Sequence, residues 1–378
     1  MNDTQQNQPQ PYVDPRAQYA PAFGQQPQPV QSQTFQPQPI YQPVYQPVTV
    51  PVYAPAFALK VDRHPQRKQA AKAINRVGAV SFMQTVLSFL LATPLVFLSM
   101  AIGVNVYADS MAFQLVNAVS VPLCTALPFF VYLRVGKKDV TEYLKFERVG
   151  FGLGLLFVLG GLGISLLANY PAFFIQDLLA NFGYEPGDSA SIAPAVTSIP
   201  LLVTEFLTTA VLVPVMEEFA FRGVLLSSLK RFGPGLSITV SALIFALAHL
   251  DISGVVFAFI AGFVFGAIYY YTENLWLSIF IHALNNALAV LSNSLPDLLQ
   301  LDEITVGILF VTLPMVLGLL AAVILVVRLG AGRVTLRNQR KAAEIPISAG
   351  DAFVALLRAP MIWVLFVMML AYTVSRFF

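Results

Sequence analysis

From residue 79 to the C-terminus the chain is a series of long apolar runs separated by short breaks that carry charges, glycine or proline. These runs predict helical spans near 79–106, 112–135, 149–173, 206–229, 236–251, 254–272, 275–294, 305–328 and 355–375. A helix needs ~20 residues to cross ~30 Å of hydrocarbon, and the fifth run is the shortest. Segment 176–205 is ambiguous. Asp177, Glu185 and Asp188 interrupt its first half together with Gly183 and Pro186, and its second half reads as an extension of the fourth span or as a short interfacial helix. The expected fold is all-α: a polytopic transmembrane helical bundle of about eight or nine spans.

Composition strengthens this reading. Apolar residues make up 57% of the 378 and charged residues 11%, with mean hydropathy +0.69. A soluble domain carries about 25% charged residues, so a soluble enzyme is excluded. A formal net charge of +2 points to no nucleic-acid partner, and the single cysteine, Cys124, excludes an intrachain disulfide framework and a Cys-rich zinc site. The first 30 residues hold no apolar core, so no cleavable signal peptide is expected. Residues 1–59 hold 12 of the 26 prolines and two tandem Tyr-Gln-Pro-Val units at 41–48. They read as a disordered Pro/Gln-rich cytoplasmic tail whose Tyr and Phe side chains offer docking points for an unknown protein. Residues 60–76 read as a basic juxtamembrane segment suited to anionic lipid, residues 77–350 as the membrane bundle, and residues 351–378 as a C-terminal transmembrane helix.

Charge asymmetry orients the spans. Lys and Arg fall in 60–76, in 134–148, at Lys230 and Arg231, and in 328–341, whereas the intervening loops carry Asp and Glu. A multi-pass cell-membrane protein with a cytoplasmic N-terminus fits this alternation. Small residues recur at Gly160, Gly161 and Gly163 and again at Ala258, Gly262 and Gly266, a helix-packing signal.

Ionisable side chains inside apolar spans are costly and therefore functional candidates. Here they concentrate in Glu217, Glu218, Arg222, His249 and His282, with Asn285 and Asn286 beside them and Glu205 as an outlier. On a helix Glu218 and Arg222 are four residues apart and can pair, while Glu217 is rotated about 100° away. The bland reading is one buried ion network. Phe245 and His249 are also four apart, so the ring can pack beneath the imidazole. Glu217 lies 16 residues before Gly233 and His249 lies 16 after it, which in a helical hairpin sets both at one depth, about 24 Å from the turn. His282 and Asn286 share a face and suit a developing oxyanion, whereas Asn285 reads better as an interhelical clamp.

The stretches Glu-Glu-Phe-Ala-Phe-Arg-Gly at 217–223, Phe-Ala-Leu-Ala-His-Leu at 245–250 and His-Ala-Leu-Asn-Asn at 282–286 resemble the CPBP family, the CAAX proteases and bacteriocin-processing enzymes also called the Abi family. Pro214 and Asn274-Leu275-Trp276 also look like the family, and the likeness covers roughly 200–295. The resemblance implies an intramembrane endopeptidase acting on a membrane-anchored or lipidated peptide or protein within the bilayer. Carried over by position, Glu217 would activate a water, His249 would assist, and His282 and Asn286 would hold the oxyanion. Glu218 and Arg222 would keep the site's shape, supported by Phe245 and Asn285.

The family is often labelled metalloprotease. Glu217, His249 and His282 make a conceivable two-His, one-Glu zinc set, but it would leave Glu218, already matched to Arg222, as the general base. The residues therefore favour a metal-free glutamate mechanism with no cofactor, with zinc as the alternative. Two other classes stay open on the same polar cluster: an ion- or proton-coupled transporter, and a non-proteolytic immunity or interaction protein.

Overall fold

The computed structural model describes residues 64–105, 109–185, 196–338 and 342–378. The tail at 1–59, with its expected disorder and partner docking, lies outside the described residues. Among the described residues the regular structure is helical, joined by turns and loops, with one isolated bridge between Phe146 and Asn274. The helices are α1 (His64–Ala101), α2 (Ser110–Val135), the one-turn α3 (Val140–Tyr143), α4 (Phe151–Leu167), α5 (Asn169–Ala180) and α6 (Ile199–Phe232). They continue with α7 (Pro234–Leu247), α8 (Ile252–Thr272), α9 (Leu275–Leu299), α10 (Glu303–Gly330), α11 (Ala349–Leu357) and α12 (Pro360–Ser375).

Among the described residues seven helical spans, counting α4 and α5 together as Phe151–Ala180, are long and apolar enough to cross a membrane, or eight if the α11–α12 pair, bent by 68°, is one span. Their outer faces expose large apolar side chains, such as Phe97 and Leu98 on α1 and Val323 and Val327 on α10. Water would not tolerate such a surface, whereas lipid covers it. The protein is a multi-pass membrane protein.

The spans differ from the sequence pattern at instructive points. Helix α1 is continuous from His64, so most of the basic segment forms its first turns. Helix α6 begins at Ile199, so the ambiguous second half of 176–205 extends the fourth span from Ile199 onward. Helix α7, the fifth predicted span, has 14 residues. It covers about 21 Å, short of the ~30 Å of a bilayer core. It stops because Ala248 and His249 form a turn and Leu250 adopts φ +63°, where a branched side chain cannot continue a helix.

The basic loops meet on one face. Arg67 pairs with Asp351 at 2.6 Å, Arg337 with Glu147 at 2.9 Å and Lys230 with Glu273 at 3.6 Å. The Ile345 amide donates to the Arg231 carbonyl. On the opposite face Tyr184 donates its hydroxyl to Asp251, and the Glu185 amide donates to the Arg376 carbonyl. Burial, together with the Asp251 carboxylate, pushes the Tyr184 hydroxyl pKa up.

Glycines set the closest crossings. Helices α4 and α10 touch backbone to backbone at Gly163 and Gly318, and a methyl on Gly318 would lie 2.6 Å from Gly163 Cα. Gly233, at φ +95°, makes the α6–α7 turn in a conformation that favours glycine.

Candidate active site

Helix α6 carries the first motif, and Pro214 shapes it. Proline has no N–H to give. The preceding turn widens to a π register in which the Val213 amide donates to Thr208, five residues back. In that register the Thr209 carbonyl would look to residue 214, the proline, for its donor. Asn286 on α9 supplies one instead, its Nδ2 donating to Thr209 O at 2.9 Å. A second widened segment, Phe219–Leu226, follows Glu218 and carries Arg222.

Glu218 and Arg222 are fully buried. Arg222 Nη1 donates to Glu218 Oε1 at 2.8 Å and Nη2 to the Gly262 carbonyl at 3.2 Å. The guanidinium lies over the Phe245 ring, 4.3 Å from its centroid, and 5.3 Å from that of Phe265. Gly262 permits this, since a Cβ there would stand 2.8 Å from Phe245 Cδ1 and 3.2 Å from Arg222 Nη2.

Glu218 Oε1 also lies 2.9 Å from His282 Nδ1. An ionised carboxylate only accepts, so Nδ1 carries the hydrogen and donates. Nε2 then faces Glu217 Oε2 at 3.6 Å, beyond direct hydrogen-bond range. Glu217 is the accessible carboxylate of the two, its side chain 17% exposed against 0% for Glu218. The His282 ring is packed by Phe265 at 5.4 Å and by the edge of Phe245 at 6.0 Å.

His249 stands in the turn after α7. Its Nδ1 lies 3.0 Å from the Phe245 carbonyl, which can only accept, so Nδ1 is again the protonated nitrogen and Nε2 keeps its lone pair. Its ring meets Phe245 edge-on at 4.9 Å, and the residue is exposed. Phe245 thus touches both imidazoles and the guanidinium.

The structure therefore groups Glu218, Arg222 and His282 by direct hydrogen bonds, sets Glu217 3.6 Å from His282, and joins His249 to them through Phe245. Asn286 sits one turn from His282 with one amide hydrogen on Thr209. Asn285 accepts from Ser165 Oγ at 3.1 Å, which links α4 to α9. Glu205 is half-buried further up α6, where Ser294 Oγ donates to it at 3.4 Å. The sequence did not point to the Thr209 carbonyl, Ser165 or Phe265. Only the proline at 214 hinted at the first.

Among the described residues no three His, Cys, Asp or Glu side chains converge as metal ligands. Glu217, His249 and His282 as they stand do not form a ready zinc site.

A family profile described as type II CAAX prenyl endopeptidase Rce1-like matches residues 199–288, the segment that holds all three motifs. The chain is 26% identical over 163 residues to the putative membrane peptidase YdiL of Bacillus subtilis, covering 42% of this chain and 60% of that protein. It is 36% identical over 85 residues to the membrane-embedded CAAX protease MroQ of Staphylococcus aureus, covering 21% of this chain and 34% of that one. The chain thus spans about a third to three fifths of the length of these curated relatives. No solved structure matches it. On these matches and on its three-motif constellation, segment 199–288 of this chain is similar to the membrane-embedded CAAX-protease-like peptidases.

Proposed function

We propose that the protein is an intramembrane endopeptidase that hydrolyses a peptide bond of a membrane-anchored or lipidated substrate with a glutamate-activated water and no metal. The observation that carries this reading is the unequal pair of carboxylates. Glu218 is sealed between Arg222 and His282, whereas Glu217 is accessible and faces the far nitrogen of His282. The first is committed to structure and the second is available for proton transfer. The 3.6 Å between Glu217 and His282 suits a bridging water.

Charge balance assigns the protons. Two carboxylates and one guanidinium sum to one negative charge, and a proton on His282 Nε2 neutralises the set. In that state Nε2 is a donor held in place by Glu218. Glu217 takes a proton from water as the hydroxide adds to the peptide carbonyl carbon. The oxyanion then accepts from His282 Nε2 and from the second amide hydrogen of Asn286. Glu217 returns its proton to the leaving amine as the C–N bond breaks. The lone pair on His249 Nε2 helps to orient the water. The names of the two relatives and of the matching family support proteolysis as the reaction class.

The test is a panel of membrane-anchored peptides incubated with the purified full-length protein, with and without a metal chelator. Cleavage that survives chelation supports the glutamate mechanism. Cleavage abolished by chelator and restored by zinc would replace it with the metal alternative, and no cleavage across the panel would favour a non-proteolytic role.

A further inference from the structure

On the basic face, just beyond the end of the first motif on α6, α1, the loop after α2, the end of α6, the α8–α9 turn and the segment before α11 enclose a cleft of about 530 Å³. That volume lies within the ~300–1,000 Å³ of small-ligand sites. Five cations line it: Arg76, Lys138, Lys145, Lys230 and Arg231. Three acids oppose them, Glu142, Glu273 and Glu344, so the lining keeps an excess of two positive charges. Glu273 is engaged with Lys230 at 3.6 Å.

Two of the ammonium groups are seated before any ligand arrives. Lys138 Nζ donates to Tyr143 Oη at 2.5 Å and lies 4.8 Å and 4.9 Å from the centroids of the Tyr132 and Tyr143 rings. Lys230 Nζ lies 4.5 Å from the Tyr269 centroid. Aromatic seats hold long flexible side chains in place and reduce the ordering cost of binding. Hydroxyls add further donors, with Tyr132 Oη and Ser228 Oγ 3.4 Å apart at the wall. A compact anion with several acceptor oxygens meets this donor set.

Position narrows the ligand. Arg76 is the last cation of α1 before its apolar run begins, which puts the cleft at the level of lipid headgroups. Ser227 lies ten residues beyond Glu217 along α6, about 15 Å at the rise of a helix. The cleft is therefore separate from the polar cluster.

We propose that this cleft binds a phosphate group, supplied by the headgroup of an anionic lipid. It gives the basic face a specific lipid site in addition to diffuse attraction to an anionic surface.

The experiment titrates the detergent-solubilised full-length protein by calorimetry with dioctanoyl phosphatidic acid, dioctanoyl phosphatidylcholine and glycerol 3-phosphate. Saturable binding of the phosphatidic acid is expected, with none of the zwitterionic lipid. The double variant Arg76→Gln/Lys145→Gln, which alters exposed or half-exposed side chains, should weaken it by about tenfold or more. Lys138→Met should do the same, with both variants checked for an unchanged melting temperature. Lys68→Gln/Lys72→Gln, on the same helix but outside the cleft, should stay within about twofold of wild type. Equal loss in the two double variants, or no saturable binding, would overturn the proposal. Tighter binding of glycerol 3-phosphate than of the lipid would overturn the lipid as source.

Discussion

Replacing Glu218 by Gln tests the division of labour between the adjacent glutamates. In the native site Arg222 is fully buried, and Glu218 Oε1, 2.8 Å away, is its carboxylate partner. The guanidinium also meets the Gly262 carbonyl and two aromatic faces, and the nearby Glu217 carboxylate adds a further, weaker attraction. The amide removes the counter-charge and leaves the cation in place. Breaking a buried pair from one side costs about 3–5 kcal/mol, while the ring contacts are present before and after. The same change weakens the acceptor that holds His282 Nδ1. The assay is thermal unfolding in detergent, with membrane abundance measured in parallel. Glu218→Gln should melt well below wild type and accumulate poorly. The double variant Glu218→Gln/Arg222→Met should recover most of the loss, because it removes both charges. Glu218 Oε2 and Arg222 Nε are buried without hydrogen-bond partners among the described residues, so the native pair is itself imperfectly satisfied. A single variant as stable as wild type, or a double variant no better than the single, would refute this account of the pair.

Other consequences are as definite. Gly318→Ala places a methyl 2.5 Å from the Leu159 carbonyl and 2.6 Å from Gly163 Cα. It should lower stability by about 1–3 kcal/mol in the same melting assay, since both obstacles are backbone. Asn286→Ala strips the Thr209 carbonyl of its donor and should cost about 1–3 kcal/mol. Asn286→Leu should be no better, because the loss is a hydrogen bond and not volume. Cysteines placed at Lys137, Arg231 and Arg337 should resist an impermeant thiol reagent applied outside whole cells, while one at Asp302 should label. Strong external labelling at Arg337 with none at Asp302 would reverse the proposed orientation.

Much of the site is legible in the sequence because it rests on helical spacing. The Glu218–Arg222 pair and the Phe245–His249 stack are both four residues apart, and local geometry suffices to place them. The basic loops also gather on one face, as the alternation of charge implies. The partner of Glu217 was not legible in the same way. Equal spacing about Gly233 points to His249, but α7 ends at Leu247 and α6 departs from regular α-helix on both sides of Val213–Glu218. The polar contact of Glu217 falls on His282 instead. Asn286 reads from sequence as an oxyanion donor, yet one of its hydrogens serves a carbonyl that Pro214 leaves without a donor. The glycines of α4 announce a close crossing, but nothing local to them names Gly318, more than 150 residues away, as the partner.

The central claim is that Glu217 is the general base. The measurement that tests it most directly compares cleavage of a membrane-anchored peptide by purified wild-type protein and by Glu217→Gln, each with its melting temperature. The charge that faces Glu217, on His282 Nε2, stands 3.6 Å away and beyond direct hydrogen-bond range, so the amide should shift the melting temperature far less than Glu218→Gln does while cleavage falls to background, because an amide cannot take a proton from water. A Glu217→Gln protein that keeps full cleavage would contradict the mechanism, and one that unfolds while Glu218→Gln stays folded but inactive would mean that the two glutamates have exchanged roles.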